Sequence, residues 1–172
     1  MTGSVARRRR FARSMRWRRG GGTRRMWLTP RRGHGLGMPM SLIGWVDDRF
    51  LTVEDLMALV EDLGVGPVRD VGLLESAAAR PRSSLWGGDA YPTLGSKAAA
   101  LLDSLVNNHP LVDGNKRLGW LTTVVFLDLN GWWVEAPDDD AYNLVIAVAS
   151  GRADLDEAAA SLRSWCVDPK SR

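Results

Sequence analysis

The stretch Lys116-Arg117-Leu118-Gly119-Trp120-Leu121-Thr122-Thr123-Val124-Val125-Phe126-Leu127-Asp128-Leu129 decides the fold. Its apolar side chains are spread nearly all round a helical wheel, which is typical of a helix buried at the centre of a protein. Asn130-Gly131 supplies the helix end. The apolar run 118–127 is ten residues long and is closed by Asp128, whereas a membrane span needs about 18 or more such residues. We therefore predict a buried central helix and exclude a membrane-spanning one.

Five further segments carry helix signals. Each begins at a residue that can cap a helix and ends at glycine, proline or a turn. The first predicted helix starts after Thr52 and ends at Gly64, the second starts after Asp70 and ends before Pro81, and the third covers about 93–108. After the central helix, one helix starts at Asp138 or Asp139 and ends at Ser150-Gly151, and the last runs from Asp154 to about Cys166. The first of these helices has a predicted apolar face that comprises Val53, Leu56, Met57, Val60 and Leu63.

The connections between these helices show little strand character. Residues 86–92 predict a flexible, turn-rich surface loop, and residues 132–135 predict a few extended residues at most. We therefore predict an all-α fold, a compact single-domain bundle of about six helices around the buried central helix. The hydrophobic content of 45% suits such a core. The single cysteine, Cys166, is interpreted as a small apolar residue near a helix end, and it excludes an internal disulfide and a cysteine zinc cluster.

Charge is divided sharply along the 172 residues. Residues 1–40 contain twelve arginines and no Asp, Glu or Lys, whereas residues 41–172 contain 11 basic and 20 acidic residues. We predict that residues 1–40 form a basic leader, disordered or not normally translated, and that residues 41–172 form the domain. Two alternatives stay open for the leader: a tail for nucleic acid or a membrane surface, with Trp17 and Trp27 among the arginines, and an export signal.

The loop His109-Pro110-Leu111-Val112-Asp113-Gly114-Asn115-Lys116-Arg117 precedes the central helix and carries its chemistry. Gly114 permits a left-handed backbone, so successive amides near it can form an anion-binding nest. The amino end of the helix adds unpaired N–H donors. Lys116 and Arg117 place two cations where a helix start prefers acidic residues. A bound polyphosphate would convert this unfavourable arrangement into an attraction.

Two further residues of this loop suit group transfer. Asp113 is a carboxylate beside the cations and suits Mg²⁺ bound together with phosphates. His109 is the only histidine of residues 41–172 and can accept a proton from an attacking hydroxyl. Together these groups predict phosphoryl or nucleotidyl transfer. A structural interpretation stays open, in which His109 caps the preceding helix and Asp113-Gly114-Asn115 form an ordinary turn.

This loop resembles the signature of the Fic/Doc (Fido) family. That signature is a histidine, an apolar or aromatic residue, an acidic residue, glycine or alanine, asparagine, a small residue or lysine, and arginine. Lys116 is typical of the Doc (death-on-curing) branch, and Leu111 stands where phenylalanine is usual. The resemblance covers about residues 48–165, with further landmarks at 50–52, 68–77, 91–94 and 129–131.

The resemblance implies a Fido fold and, for the Doc branch, a small toxin of a bacterial toxin–antitoxin pair that phosphorylates a threonine of elongation factor Tu. By motif position it implies that His109 is the general base and that Asp113 binds Mg²⁺. It implies that the phosphates of ATP bind Gly114, Asn115, Lys116 and Arg117. The implied partners are a small antitoxin and a translation factor, in the cytoplasm, with no membrane and with nucleic acid only through the leader.

Fic-type relatives instead transfer AMP from ATP to a target hydroxyl. They usually carry a second arginine three residues after the first, where this chain has Trp120, and a second glycine where it has Lys116. Both differences favour transfer of the γ-phosphoryl group. Gly114, in place of the alanine of some Doc proteins, keeps adenylyl transfer open. A third alternative is a non-enzymatic helical interaction or nucleic-acid-binding protein.

Overall fold

The structure, a computed structural model, describes residues 48–167, and this range contains six α-helices and four two-residue strands. The elements in chain order are α1 (Val53–Leu63), α2 (Val71–Ala79), a 3₁₀ turn (Arg80–Arg82), β1 (Ser84–Leu85), β2 (Gly88–Asp89), α3 (Leu94–Asn107), α4 (Asn115–Leu129), β3 (Trp133–Val134), α5 (Asp138–Ala149), α6 (Leu155–Ser164) and β4 (Cys166–Val167). The predicted all-α bundle of six helices is confirmed. The predicted leader, residues 1–40, lies outside the described residues. Within 48–167, no helix is long and apolar enough to cross a bilayer.

Helix α4 lies at the centre of the bundle, as the sequence predicts. Every residue of 118–127 is buried, and Trp120 and Phe126 are among the largest fully buried side chains. Helix α3 packs directly against it. A Cβ at Gly119 would lie 2.8 Å from Val106 Cγ2, so glycine allows α3 to approach α4 closely at this point. This crossing holds the C-terminal end of α3 in place relative to the N-terminal end of α4.

Side-chain caps start four of the helices where the sequence predicts them. Thr52, Thr93 and Asp154 form capping boxes at α1, α3 and α6. Asp70 accepts two backbone hydrogen bonds at the start of α2. Gly64 ends α1 in the left-handed conformation, with φ 60°. These boundaries follow from local side-chain chemistry and need no distant contact.

Two predicted helix ends differ from the structure. Helix α5 has Pro137 at its N-cap, so the prediction that Asp138 or Asp139 caps it is wrong. Its acidic residues occupy the first turn, where they lie near the positive end of the helix dipole. Helix α6 ends at Ser164 and does not reach Cys166, because Cys166 pairs with Val134 in the antiparallel ladder of β4 with β3.

Two other predictions need correction. In α1, Leu59 is buried and Met57 is 40% exposed, so the buried stripe is rotated from the predicted face because α1 packs against both α2 and α4. The segment 86–92 is not one flexible loop. Strands β1 and β2 pair as an antiparallel hairpin, and Trp86 and Gly87 form its tip with φ values of 53° and 83°.

A buried lysine ties this hairpin to the bundle. The Lys97 side chain is 7% exposed, and its Nζ lies 2.7 Å from Asp48 Oδ2 and 2.8 Å from Asp89 Oδ2. It also lies over the Phe50 ring. Burial alone would lower the pKa of Lys97, but its hydrogen bonds to the two carboxylates raise that pKa above the usual value. We call Lys97, Asp48 and Asp89 the lysine clamp.

Candidate active site

The site loop, residues 108–114, joins the C-terminal end of α3 to the N-terminal end of α4. His109 is exposed, and its φ of 50° lies in the left-handed region, which costs a residue with a Cβ about 1–2 kcal/mol. Backbone strain of this kind persists only where surrounding contacts hold it, and it is common at functional sites. Within residues 48–167 the imidazole makes no hydrogen bond to α3. The structure therefore does not show the alternative in which His109 caps that helix.

The N-terminus of α4 has the features of an anion-binding site. Its N-cap, Gly114, has φ 94° and provides no side-chain hydrogen bond, and its first turn contains no acidic residue. The left-handed backbone predicted for Gly114 is therefore present. Lys116 and Arg117 lie in this first turn, where backbone N–H groups and the helix dipole already favour a negative charge.

Asn115 holds the site loop closed. Its Oδ1 accepts a hydrogen bond from the Leu111 backbone N–H at 2.8 Å, and its Nδ2 donates to the Leu111 carbonyl at 2.8 Å. Leu111 is 1% exposed and anchors the loop in the core. The Asn115 side chain therefore makes two hydrogen bonds within the loop. Within residues 48–167 the backbone N–H of Asn115 and its second amide hydrogen have no hydrogen-bond acceptor, which is compatible with the phosphate contact that the sequence predicts for it.

Asp113 is the carboxylate of the site loop. Its side chain is 74% exposed, and its Oδ2 lies 3.0 Å from Arg117 Nη2, one helical turn away. Mg²⁺ commonly takes one or two carboxylates and completes its shell with phosphate oxygens and water. Among residues 48–167 no group of three or more His, Cys, Asp or Glu could hold a metal ion. Asp113 therefore suits an ion that binds together with phosphates, and not a metal cage built from protein alone.

Residues 64–70, between α1 and α2, hold the site loop through the main chain, and we call them the brace segment. Four backbone hydrogen bonds join the two segments: Gly66 N–H to Asp113 O at 3.0 Å, Val112 N–H to Pro67 O at 2.9 Å, and both Arg69 N–H and Asp70 N–H to Pro110 O, at 2.8 and 3.2 Å. Val68 and Leu111 add an antiparallel bridge. This role is not predictable from the sequence, because the pairing joins segments separated by two helices and leaves no local pattern.

The brace segment also supports the left-handed glycine. A Cβ at Gly114 would lie 2.6 Å from Val65 Cβ and 2.7 Å from Val65 Cγ1. Val65 therefore fills the space beside the amides at the start of α4. Its contact adds a steric requirement for glycine at position 114 to the conformational one.

The side chain three residues after Arg117 is turned into the core. Trp120 is fully buried and meets the ring of Trp165 edge to face, with centroids 6.3 Å apart. Its Nε1 has no hydrogen-bond partner within the described residues. Position 120 therefore supplies no third cation to the N-terminal end of α4.

Comparison with known proteins identifies the family of this chain. The model of the Fic/DOC family matches residues 50–127, which include the brace segment and the whole signature 109–117. A curated relative named Toxin Doc, from Mycolicibacterium smegmatis, is 52% identical over 102 residues, and the match covers 58% of this chain and 78% of the relative. The chain therefore belongs to the Fic/DOC family.

Proposed function

We propose that this chain is the toxin of a toxin–antitoxin pair and acts as a kinase that transfers the γ-phosphoryl group of ATP to a hydroxyl of a target protein. Family membership and a relative named Toxin Doc support the biological part of this proposal. One observation carries the chemical part: a single loop combines the exposed His109 with a cationic helix N-terminus that no side chain caps. The proposed target is a threonine of a translation factor such as elongation factor Tu, and its modification arrests translation.

In the proposed reaction His109 accepts the proton of the target hydroxyl. The hydroxyl oxygen forms a bond to the γ-phosphorus, and the bond from that phosphorus to the oxygen shared with the β-phosphorus breaks. ADP leaves with the electron pair. Negative charge on the phosphoryl oxygens is met by the amides at the start of α4 and by Lys116 and Arg117. Gly114 gives the backbone the turn that exposes those amides.

The nucleotide and its metal ion fit the same residues. Asp113 would hold Mg²⁺ together with the phosphates, and the ion would supply neutralising charge there. The ion pair of Asp113 with Arg117 keeps the carboxylate near the first turn of α4. Asn115 keeps the loop path that brings Asp113 and His109 to the same end of the bundle.

Two residues favour γ-phosphoryl transfer over AMP transfer. Position 120, where AMP-transferring relatives usually have a second arginine, holds a tryptophan whose side chain is buried in the core. Lys116 is an exposed cation where those relatives have a second glycine. A long cation at that place changes how a triphosphate lies on the helix N-terminus. Gly114 is the one feature that favours the alternative, a Fic-like adenylyltransferase.

A transfer assay with labelled ATP tests the chemistry. We expect purified protein to label elongation factor Tu from γ-labelled ATP and not from α-labelled ATP. The His109→Ala variant should label it from neither. Label that arrives only from the α position would overturn the kinase in favour of AMP transfer. An inactive parent with both nucleotides would instead favour the non-enzymatic alternative.

Growth after induced expression tests the toxin role. The parent should stop growth, and His109→Ala should restore it because the proposed base is lost. His34→Ala is the matched control, since His34 is the other histidine of the chain, and it should stay toxic. Co-expression with the proposed small antitoxin should also restore growth. A His109→Ala variant as toxic as the parent would refute catalysis by His109.

A further inference from the structure

We propose that Arg69, outside the signature, is the positioning residue that holds His109 in its left-handed conformation. The inference deepens the proposed function, and its kinetic part rests on that function. Arg69 lies in the brace segment, one residue before the Asp70 cap of α2. It contacts both residues that flank His109 along the chain.

The contacts of Arg69 lie on either side of the histidine. Its Nη2 donates to the carbonyl oxygen of Asn108 at 3.1 Å. Its backbone N–H donates to the carbonyl oxygen of Pro110 at 2.8 Å. The Asn108–His109 peptide, directly before His109, and the Pro110–Leu111 peptide, one residue beyond it, are thus both tied to one residue. A φ of 50° at position 109 needs such support, because the left-handed region is unfavourable for a residue with a Cβ.

The rest of the brace segment cannot replace the side-chain contact. The main-chain hydrogen bonds of Gly66 and Pro67 reach Asp113 and Val112, on the far side of Leu111 from the histidine. The Asp70 N–H also reaches the Pro110 carbonyl, at 3.2 Å. The Arg69 guanidinium is the brace contact on the Asn108 side. Removing it takes away the hydrogen bond to the Asn108 carbonyl and leaves the Pro110 carbonyl held by the backbone of Arg69 and Asp70.

The chain offers matched variants. Arg69→Met removes the donors and keeps the aliphatic stem, and Arg69→Lys keeps one charged donor. Arg163→Met removes the same charge from another exposed position, in the last turn of α6. Because Arg69 is exposed, its replacement should leave the unfolding midpoint close to that of the parent.

The deciding measurement is nuclear magnetic resonance on full-length protein labelled at histidine. The chain has two histidines, so a His34→Gln variant assigns the spectrum. We expect Arg69→Met to shift or broaden the backbone amide and Cα signals of His109, and Arg163→Met to leave them unchanged. Signals of His109 that are the same in Arg69→Met and in the parent would overturn the proposal.

The kinetic measurement uses ATP and elongation factor Tu. A misplaced base should lower kcat in Arg69→Met by about 10- to 100-fold, with little change in KM for ATP because the cations of α4 are untouched. Arg69→Lys should recover most of the loss. A rise in KM at unchanged kcat would contradict positioning of the base. If the parent transfers nothing while the His109 signals still move, the proposed function fails and the positioning role stands.

Discussion

His109 and Gly114 stand near the two ends of the site loop in left-handed conformations, and the two positions solve this requirement differently. Gly114 meets it through the absence of a Cβ, whereas His109 carries a Cβ and depends on contacts with the brace segment. The proposed base is therefore held by other residues, and the proposed phosphate site is held by its own backbone. A side chain added at position 114 should therefore disturb the backbone itself, whereas loss of the brace contacts should disturb the conformation of His109.

Gly114→Ala should destabilise the protein and lower transfer activity, because the new Cβ meets Val65 at 2.6 Å. Gly131→Ala is the matched control, since Gly131 also has positive φ but has no heavy atom within 4 Å of an added Cβ. Urea unfolding should show a free energy of unfolding lower by about 1–3 kcal/mol in Gly114→Ala than in Gly131→Ala. Equal losses would show that only backbone conformation matters and that Val65 does not.

Cys166 should react slowly at pH 8 in the folded protein. Burial raises the pKa of its thiol from 9.0 to about 11, so the folded state holds about 100-fold fewer thiolates than an ordinary cysteine would. Iodoacetamide labelling followed by mass spectrometry reads this directly, because the chain has one cysteine. The same labelling in guanidinium is the control and should be fast. Equal rates in both conditions would argue against burial of the thiol.

Among the elements, the lysine clamp determines how the hairpin of β1 and β2 meets the bundle. Lys97 lies on α3, Asp89 ends β2, and Asp48 precedes α1, so one side chain connects three parts of the chain. The two carboxylates are more exposed than the ammonium group. They can be hydrated again if the lysine is lost, which limits the energetic cost.

Lys97→Met should lower the free energy of unfolding by about 1–2 kcal/mol and speed amide exchange in the hairpin. The raised pKa of Lys97 gives the sign of the pH dependence. Its contribution is complete below pH 10.5, the ordinary lysine value, and is lost as pH rises through the raised pKa. The difference in free energy of unfolding between parent and variant should therefore stay constant from pH 7 to 10 and shrink above pH 10. A gap that widens with pH would contradict the assignment.

The elements that the sequence predicts well carry their signals locally. Thr52, Asp70, Thr93 and Asp154 cap helices through neighbouring backbone atoms, and the apolar run of α4 needs no partner to reveal its burial. The candidate site residues can be proposed from the sequence because they lie together in one loop. The rest depends on distant pairing: β4 on β3, and the brace segment on the site loop. A single sequence leaves no trace of which segments will meet.

At the scale of the whole molecule, charge divides the chain into an arginine-rich N-terminal part and an acidic remainder. We propose that residues 1–40 are a leader apart from the domain formed by residues 41–172. The core of the described residues extends from Leu51 to Leu162 and forms one cluster. Residues 41–172 carry 20 acidic and 11 basic residues, so the domain is acidic although the whole chain has a pI of 9.5.

Removal of residues 1–37 should leave folding and transfer activity unchanged. The shortened protein should keep the unfolding midpoint of the parent, because the core cluster lies within the part that remains. It should bind an anion-exchange column at pH 8, whereas the parent should not. All twelve arginines of the leader lie at or before Arg32, so the shortened protein lacks every one of them. Loss of folding would show that the leader belongs to the domain.

The main-chain pairing of the brace segment with the site loop has a consequence for evolution. Hydrogen bonds between backbone atoms do not depend on side-chain identity, so the path of the loop survives changes at Val112, Asp113 and Lys116, whose side chains are exposed. New substrates or new chemistry can therefore be explored at these positions on an unchanged scaffold. Gly114 and Leu111 lack this freedom, because the first contacts Val65 and the second is buried. Among descendants that keep the proposed activity, variation should concentrate at Val112, which has no proposed role in the chemistry, and should spare Leu111, Asp113, Gly114 and Lys116.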